Sequence, residues 1–152
     1  MPRRSTRPCL RSLAASLSIA LSACGGSSAP EEEIRALVDA AETAAEARDA
    51  PDLKSLVADD YEDGQGRDAS EVRTLLHAWL VAHPSVSLLT RIDSIELEGT
   101  ELARVRVTIG VLGRRAGSDA AWDLATDVHR LDVRLARGQD GEWRAIRAAP
   151  AS

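Results

Sequence analysis

The side chains in this sequence that could move a proton are few. Tyr61 is the single tyrosine, and Asp60 and Asp63 stand within two residues of it. A phenol beside a carboxylate supplies a donor and a base to one bound molecule when both face an apolar pocket. His83 and His129 each fall on an apolar run, and imidazole is the side chain that exchanges protons near neutrality. Trp79 and Trp122 offer broad apolar walls with one N–H each. Each residue also has a structural role open to it. Tyr61 can close a helix end, the histidines can sit satisfied in the core, and the tryptophans can fill a core that has no Phe. Asp59-x-Tyr61-x-Asp63-Gly64 has the outline of a calcium loop, but Tyr61 at its third position and Ser70 at its twelfth cannot ligate as that loop requires. Histidines spaced i, i+4, a phosphate loop, a dinucleotide fingerprint and a Ser-His-Asp signature are all missing from the sequence. No metal and no cofactor is expected.

Three helices and four strands must position these groups. Ile34, Leu37, Val38, Ala41 and Ala45 recur at helical spacing and predict a helix over 31–48. Ser28 with Glu31 predicts its capping box. Pro51 opens a short second helix carrying Leu53, Leu56, Val57 and Tyr61 on one face. A loop over 62–67 follows, and Asp68 with Glu71 starts a third helix that Pro84 stops. Then the period changes to two. Residues 86–97 read as a strand with apolar residues on both faces. Ala103, Val105, Val107, Ile109 and Val111 alternate against polar neighbours in the clearest strand. Residues 113–118 read as a hairpin loop. Residues 122–136 form a long strand in which apolar residues change face, so a bulge is expected midway. Residues 142–148 close the chain. Arg104, Arg106, Arg130 and Arg134 share the face opposite the apolar one. That face suits a homodimer interface or a set of cross-strand ion pairs. Helices followed by an antiparallel meander make an α+β fold, with three helices packed on a curved sheet of about four strands.

The N-terminus speaks to location. Residues 1–11 carry four arginines and no acid, residues 12–20 are apolar, and Leu21-Ser22-Ala23-Cys24-Gly25-Gly26 follows. This is the layout of a secretory signal, too short to span a bilayer. Leu21-Ser22-Ala23-Cys24 resembles the lipobox of bacterial lipoproteins. The resemblance implies removal of residues 1–23 as a signal peptide and acylation of Cys24. It also implies a tether over 24–30 and, without an aspartate after Cys24, an outer-membrane protein facing the periplasm. The partner is then the membrane, through acyl chains. Without the four leader arginines, 15 basic residues remain against 24 acidic, a formal charge of −9. That balance argues against nucleic acid as a partner.

The order of elements over 31–149 resembles the nuclear transport factor 2-like superfamily, with its SnoaL-like and ketosteroid-isomerase-like groups. Three stretches carry the likeness: residues 56–64, the 68–83 helix running through Pro84 into a strand, and Asp140-Gly141-Glu142-Trp143-Arg144-Ala145-Ile146. The resemblance implies a cone-shaped, cystatin-like fold with a pocket between helices and sheet, and frequent dimers through the sheet. It implies no single activity. Ketosteroid isomerases place acids on the sheet, and the candidates here are Asp93, Asp127 and Asp132, none clearly inside. Three functions follow. The first is a lipid-anchored domain that binds a small apolar ligand or a protein and catalyses nothing, its pocket lined by Tyr61, Asp63, Trp79, His83, Trp122 and His129. The second is a cofactor-free acid–base enzyme of the isomerase, dehydratase or hydrolase class using Tyr61, His83 or His129. The third is a structural dimerisation module.

Overall fold

The computed structural model describes residues 29–114 and 125–151. Cys24, Ser28, Trp122 and most of the 113–118 loop lie outside the described residues. The element order is α1 (Pro30–Glu46), α2 (Ala50–Ser55), α3 (Ala69–Ala82), β1 (Ser85–Glu98), β2 (Leu102–Arg114), β3 (Ala125–Arg137) and β4 (Trp143–Pro150). The strands form one antiparallel meander in the order β1-β2-β3-β4, with the helices against one face. No described helix is long and apolar enough to cross a membrane.

The start of α1 differs from the expectation. Its N-cap is Ala29, with no side-chain cap, and Pro30 occupies the first turn. Proline's fixed φ and missing N–H suit that position, and Glu31, Glu32 and Glu33 complement the helix dipole. The helix ends in a left-handed residue, Arg48 at φ 59°. Its N–H donates to Ala45 O at 3.1 Å, and Asp49 N–H to Ala44 O at 2.8 Å, the bonding of a Schellman cap. Glycine is the usual occupant. Arginine is held there because its guanidinium donates to Leu80 O at 3.0 Å and Pro84 O at 3.1 Å, closing the C-terminus of α3. Asp49 then caps α2, and Asp68 with Glu71 forms the expected capping box on α3.

The bulges fall elsewhere than expected. β3 pairs with β2 in unbroken register from Ala125 to Ala136, and Val128 simply stands on the outer face. The irregularities are in the edge strands. Ile92 faces Val107 and Ser94 faces Arg106, leaving Asp93 as the extra residue of β1. Leu135 faces Ala145 and Arg134 faces Arg147, leaving Ile146 as the extra residue of β4. One extra residue reverses which parity points inward. Leu88, Thr90 and Ile92 therefore face the helices before the bulge, and Ile95 and Leu97 after it. That is why residues 86–97 carry apolar residues on both faces.

Ile34, Ala103, Val105, Val107, Leu135 and Trp143 form the buried core at one end of the sheet. Glu33 closes that end, accepting from Trp143 Nε1 at 3.0 Å and from the Arg137 guanidinium, which lies 5.5 Å over the Trp143 ring. The free edge of β1 is covered by α1: Glu46 Oε1 accepts from Leu88 N–H at 2.8 Å, and Glu42 Oε2 from Thr90 N–H at 3.2 Å. The edge of β4 is covered by the chain after α2, where Ala58 N–H donates to Ala145 O and Glu62 N–H to Ile146 O.

Arg48→Ala keeps the left-handed strain and removes two hydrogen bonds to α3. It is expected to lower unfolding free energy by about 1–2 kcal/mol. Arg48→Gly removes the same bonds but relieves the strain, and should cost no more than about half as much. Urea unfolding of the two variants checks the order.

Candidate functional site

Between α1 and the inner face of the sheet lies a cavity of about 440 Å³, within the range that holds a small ligand. α1 contributes Leu37, Val38 and Ala41, β2 contributes Val105, Val107 and Ile109, and β3 contributes Leu131 and Val133. Alternation of β2 and β3 delivers their side chains. The stripe of α1 meets them from above, and Leu56 of the α2–α3 connection and Leu76 of α3 close one side. The core around Ile34 and Trp143 seals the end beside the N-terminus of α1. The mouth is at the other end, where His129 lines the cavity and is exposed.

Polar side chains enter the lining at four places: Glu42, Thr90, His129 and the indole of Trp79. Thr90 pairs with Ile109 and Ile109 with His129, so Thr90 and His129 stand in one row across three strands. Glu42 reaches that row by its bond to the Thr90 N–H. Trp79 and His129 stand out in the sequence as candidates, whereas Glu42 and Thr90 do not. Glu42 lies four residues after Val38 and three before Ala45, inside the apolar stripe, and that spacing was the available signal.

Other candidates lie apart from this cavity. Tyr61 and His83 line a shallower groove on the far side of α3, sharing Trp79 with the main cavity. The His83 ring stacks on Trp79 with centroids 4.7 Å apart, and its Nδ1 is 2.8 Å from Trp79 O. Tyr61 is buried with Val57 and Ala69. Burial and the Asp63 carboxylate push its hydroxyl above the ordinary phenol value, against an opposing Ala148 backbone contact and the charges of Arg67 and Arg147. Tyr61 is thus a phenol packed on the side of the fold formed by α3 and β4, outside the main cavity. Asp63 organises the α2–α3 loop. Its Oδ1 accepts from Gln65 N–H at 2.7 Å and Arg67 N–H at 3.0 Å, and its Oδ2 from Arg67 Nε at 2.6 Å. Burial pushes its carboxyl up, but these donors outweigh burial and hold it below the ordinary Asp value.

The sheet acids do not enter the pocket. Asp93 accepts from Thr108 Oγ1 at 2.6 Å and Arg91 Nε at 2.8 Å on the outer face. The Thr108 bond holds it low, with burial opposing and Arg91 assisting. Asp132 lies between Arg104 at 3.2 Å and Arg106 at 3.9 Å, and Arg134 pairs with Glu98 at 2.9 Å. Three of the four sheet-face arginines are therefore in cross-strand pairs. Asp127, paired with the cavity-lining Val111, shares the parity of His129, one row beyond it, and is exposed without lining the cavity itself. Among the described residues no group of three or more His, Cys, Asp or Glu side chains is placed to hold a metal.

No protein-family model matches this chain, and no curated protein matches it. Solved structures do. A candidate scytalone dehydratase from Novosphingobium aromaticivorans superposes with a TM-score of 0.65 at 14% identity, over 78% of this chain and 80% of that one. A ketosteroid isomerase-like protein from Erwinia carotovora atroseptica gives 0.62 at 15% identity, over 77% and 91%. A candidate dehydratase of the NTF2-like family from Streptomyces avermitilis gives 0.63 at 17% identity, over 80% and 97%. At such identities the likeness establishes the fold, an NTF2-like cone, and carries no residue roles.

Because the Asp63 carboxyl is held below its unfolded value, its contribution is full above the ordinary Asp value of about 3.9 and fades as pH falls through the lowered one. Asp63→Asn is expected to be less stable than the parent at pH 7. The gap should narrow on acidification to pH 2.5. Urea unfolding at both pH values reads it.

Proposed function

We propose that this protein is a lipid-anchored cell-envelope protein whose NTF2-like domain binds a small apolar molecule without transforming it. The observation that carries the binding is the apolar cavity under α1. What argues against chemistry is the placement of the polar groups. Tyr61 and His83 lie outside the cavity, and Glu42 and His129 stand toward its mouth rather than deep among the apolar residues. An acid–base enzyme of the class named for two of the similar structures would have to act with Glu42 and His129 at that mouth.

The anchor in this reading is Cys24. Its six-residue separation from Pro30 spans at most roughly 20 Å and keeps the N-terminal end of α1 near the bilayer. The mouth opens at the other end of α1, roughly 25 Å away for its 17 residues. Ligand would then enter from the aqueous side. A homodimer through the outer sheet face is a second reading, supported by Leu89 and Val128. They flank Gly110 there and are 66% and 60% exposed.

Full-length protein made with its own leader in a Gram-negative host should incorporate labelled palmitate. Cys24→Ala should abolish the label and release the protein from membranes. An unlabelled, soluble parent contradicts the anchor. In native mass spectrometry the folded protein should carry extra mass of small-molecule size. Leu131→Trp, which fills the cavity with an indole, should remove that mass with an unchanged far-UV spectrum. Mass retained by that variant contradicts the site. A dimer lost on Leu89→Lys would support the second reading, and a monomeric parent would end it.

A further inference from the structure

We infer that the cavity selects amphiphiles with a cationic, hydrogen-bond-donating head and discriminates against carboxylates. This rests on the proposal that the cavity holds a ligand, and it adds the chemistry of that ligand. The depth of the cavity is walled by aliphatic side chains and accepts only an apolar body. A polar head left in that depth would lose its hydration without a partner, so the head must lie at the mouth.

Carboxylates outnumber the one imidazole among the described groups at the mouth: His129 can donate as well as accept, and Glu42, Glu46 and Asp127 only accept when ionised. Glu42 Oε2 accepts from Thr90 N–H at 3.2 Å. A carboxylate has two oxygens and about four lone-pair sites, and Glu42 Oε1 has no hydrogen-bond partner among the described residues. One turn further along α1, Glu46 Oε1 accepts from Leu88 N–H at 2.8 Å and Ser87 Oγ at 3.1 Å. Asp127 stands on the inner face of β3 one row beyond His129. Thr90 Oγ1 can accept as well as donate. Among the described residues, Arg48 just beyond Glu46 has its guanidinium on Leu80 O and Pro84 O at the end of α3.

An ammonium head seated between Glu42 and Asp127 therefore finds acceptors and opposite charge. A carboxylate head in the same place finds like charge. Under partial solvent exposure each such charge is worth about threefold to tenfold in affinity.

Calorimetric titration of the full chain carrying Cys24→Ser, with decylamine, decanol and decanoate at pH 7.4, tests this. The probes share one apolar body and differ in the head. Decylamine should bind at least about tenfold tighter than decanoate, with decanol between, and added salt should shrink the ratio. Asp127→Asn, at an exposed position, should reduce the ratio, and adding Glu42→Gln should bring it within about threefold. Equal affinities, tighter decanoate, or a ratio indifferent to both substitutions overturns the head-group inference and leaves the cavity reading standing. Binding that survives Leu131→Trp lies outside the cavity and overturns it too. Failure of all three probes to bind overturns the ligand-binding proposal itself, and this inference with it.

Discussion

Three carboxylates on one helix set where that helix sits over the sheet. Glu33, near the start of α1, accepts from Trp143 and Arg137 at the β3–β4 end of the sheet. Glu42 and Glu46, near its end, accept from backbone N–H groups of the β1 edge. The helix is thereby tied across the sheet from one side to the other. Each bond does a second task. Glu33 satisfies a buried indole N–H, which would otherwise carry a desolvation cost. Glu42 and Glu46 occupy donors on an edge strand that would otherwise invite pairing with another chain.

With α1 held in place, what lies beneath it is decided by side-chain volume. The chain has no Phe, and its inner sheet face is built mainly from Val, Ile, Leu and Ala. Where Trp143 and Ile34 supply bulk, the space is filled and Ile34 is fully buried. Further along, facing aliphatic residues do not reach across the gap, and the cavity remains. A protein interior closes such a space when its elements can approach. Here the carboxylate ties at both ends of α1 resist that approach. Openness, placement of the mouth and its polar character thus follow from the same helix.

Much of this fold was legible in the sequence because its signals are local. The stripe of α1, the Asp68–Glu71 capping box and the alternation of Ala103 to Val111 each depend on neighbours within a few residues. What escaped depends on distant contacts. The two-faced pattern of residues 86–97 could not reveal Asp93 as a bulge without the register of β2. Tyr61 carries the residue types of a catalytic site around it. Yet the chain after α2 hydrogen-bonds to the β4 edge, and that docking turns the phenol toward Val57, Ala69 and Ala148 instead of the cavity. By residue type alone Glu42 is one more acid on an acidic helix. Only the neighbouring edge strand gives its carboxylate a partner and makes it part of the mouth.

The space under α1 is open and apolar in the folded chain, and xenon probes it without needing a chemical partner, because the gas enters such cavities. A crystal of the protein pressurised with xenon should show density bounded by Leu37, Val107 and Leu131, with the helix and sheet unmoved. Absence of xenon there, with those side chains packed against one another, would mean that the space is closed and holds no ligand.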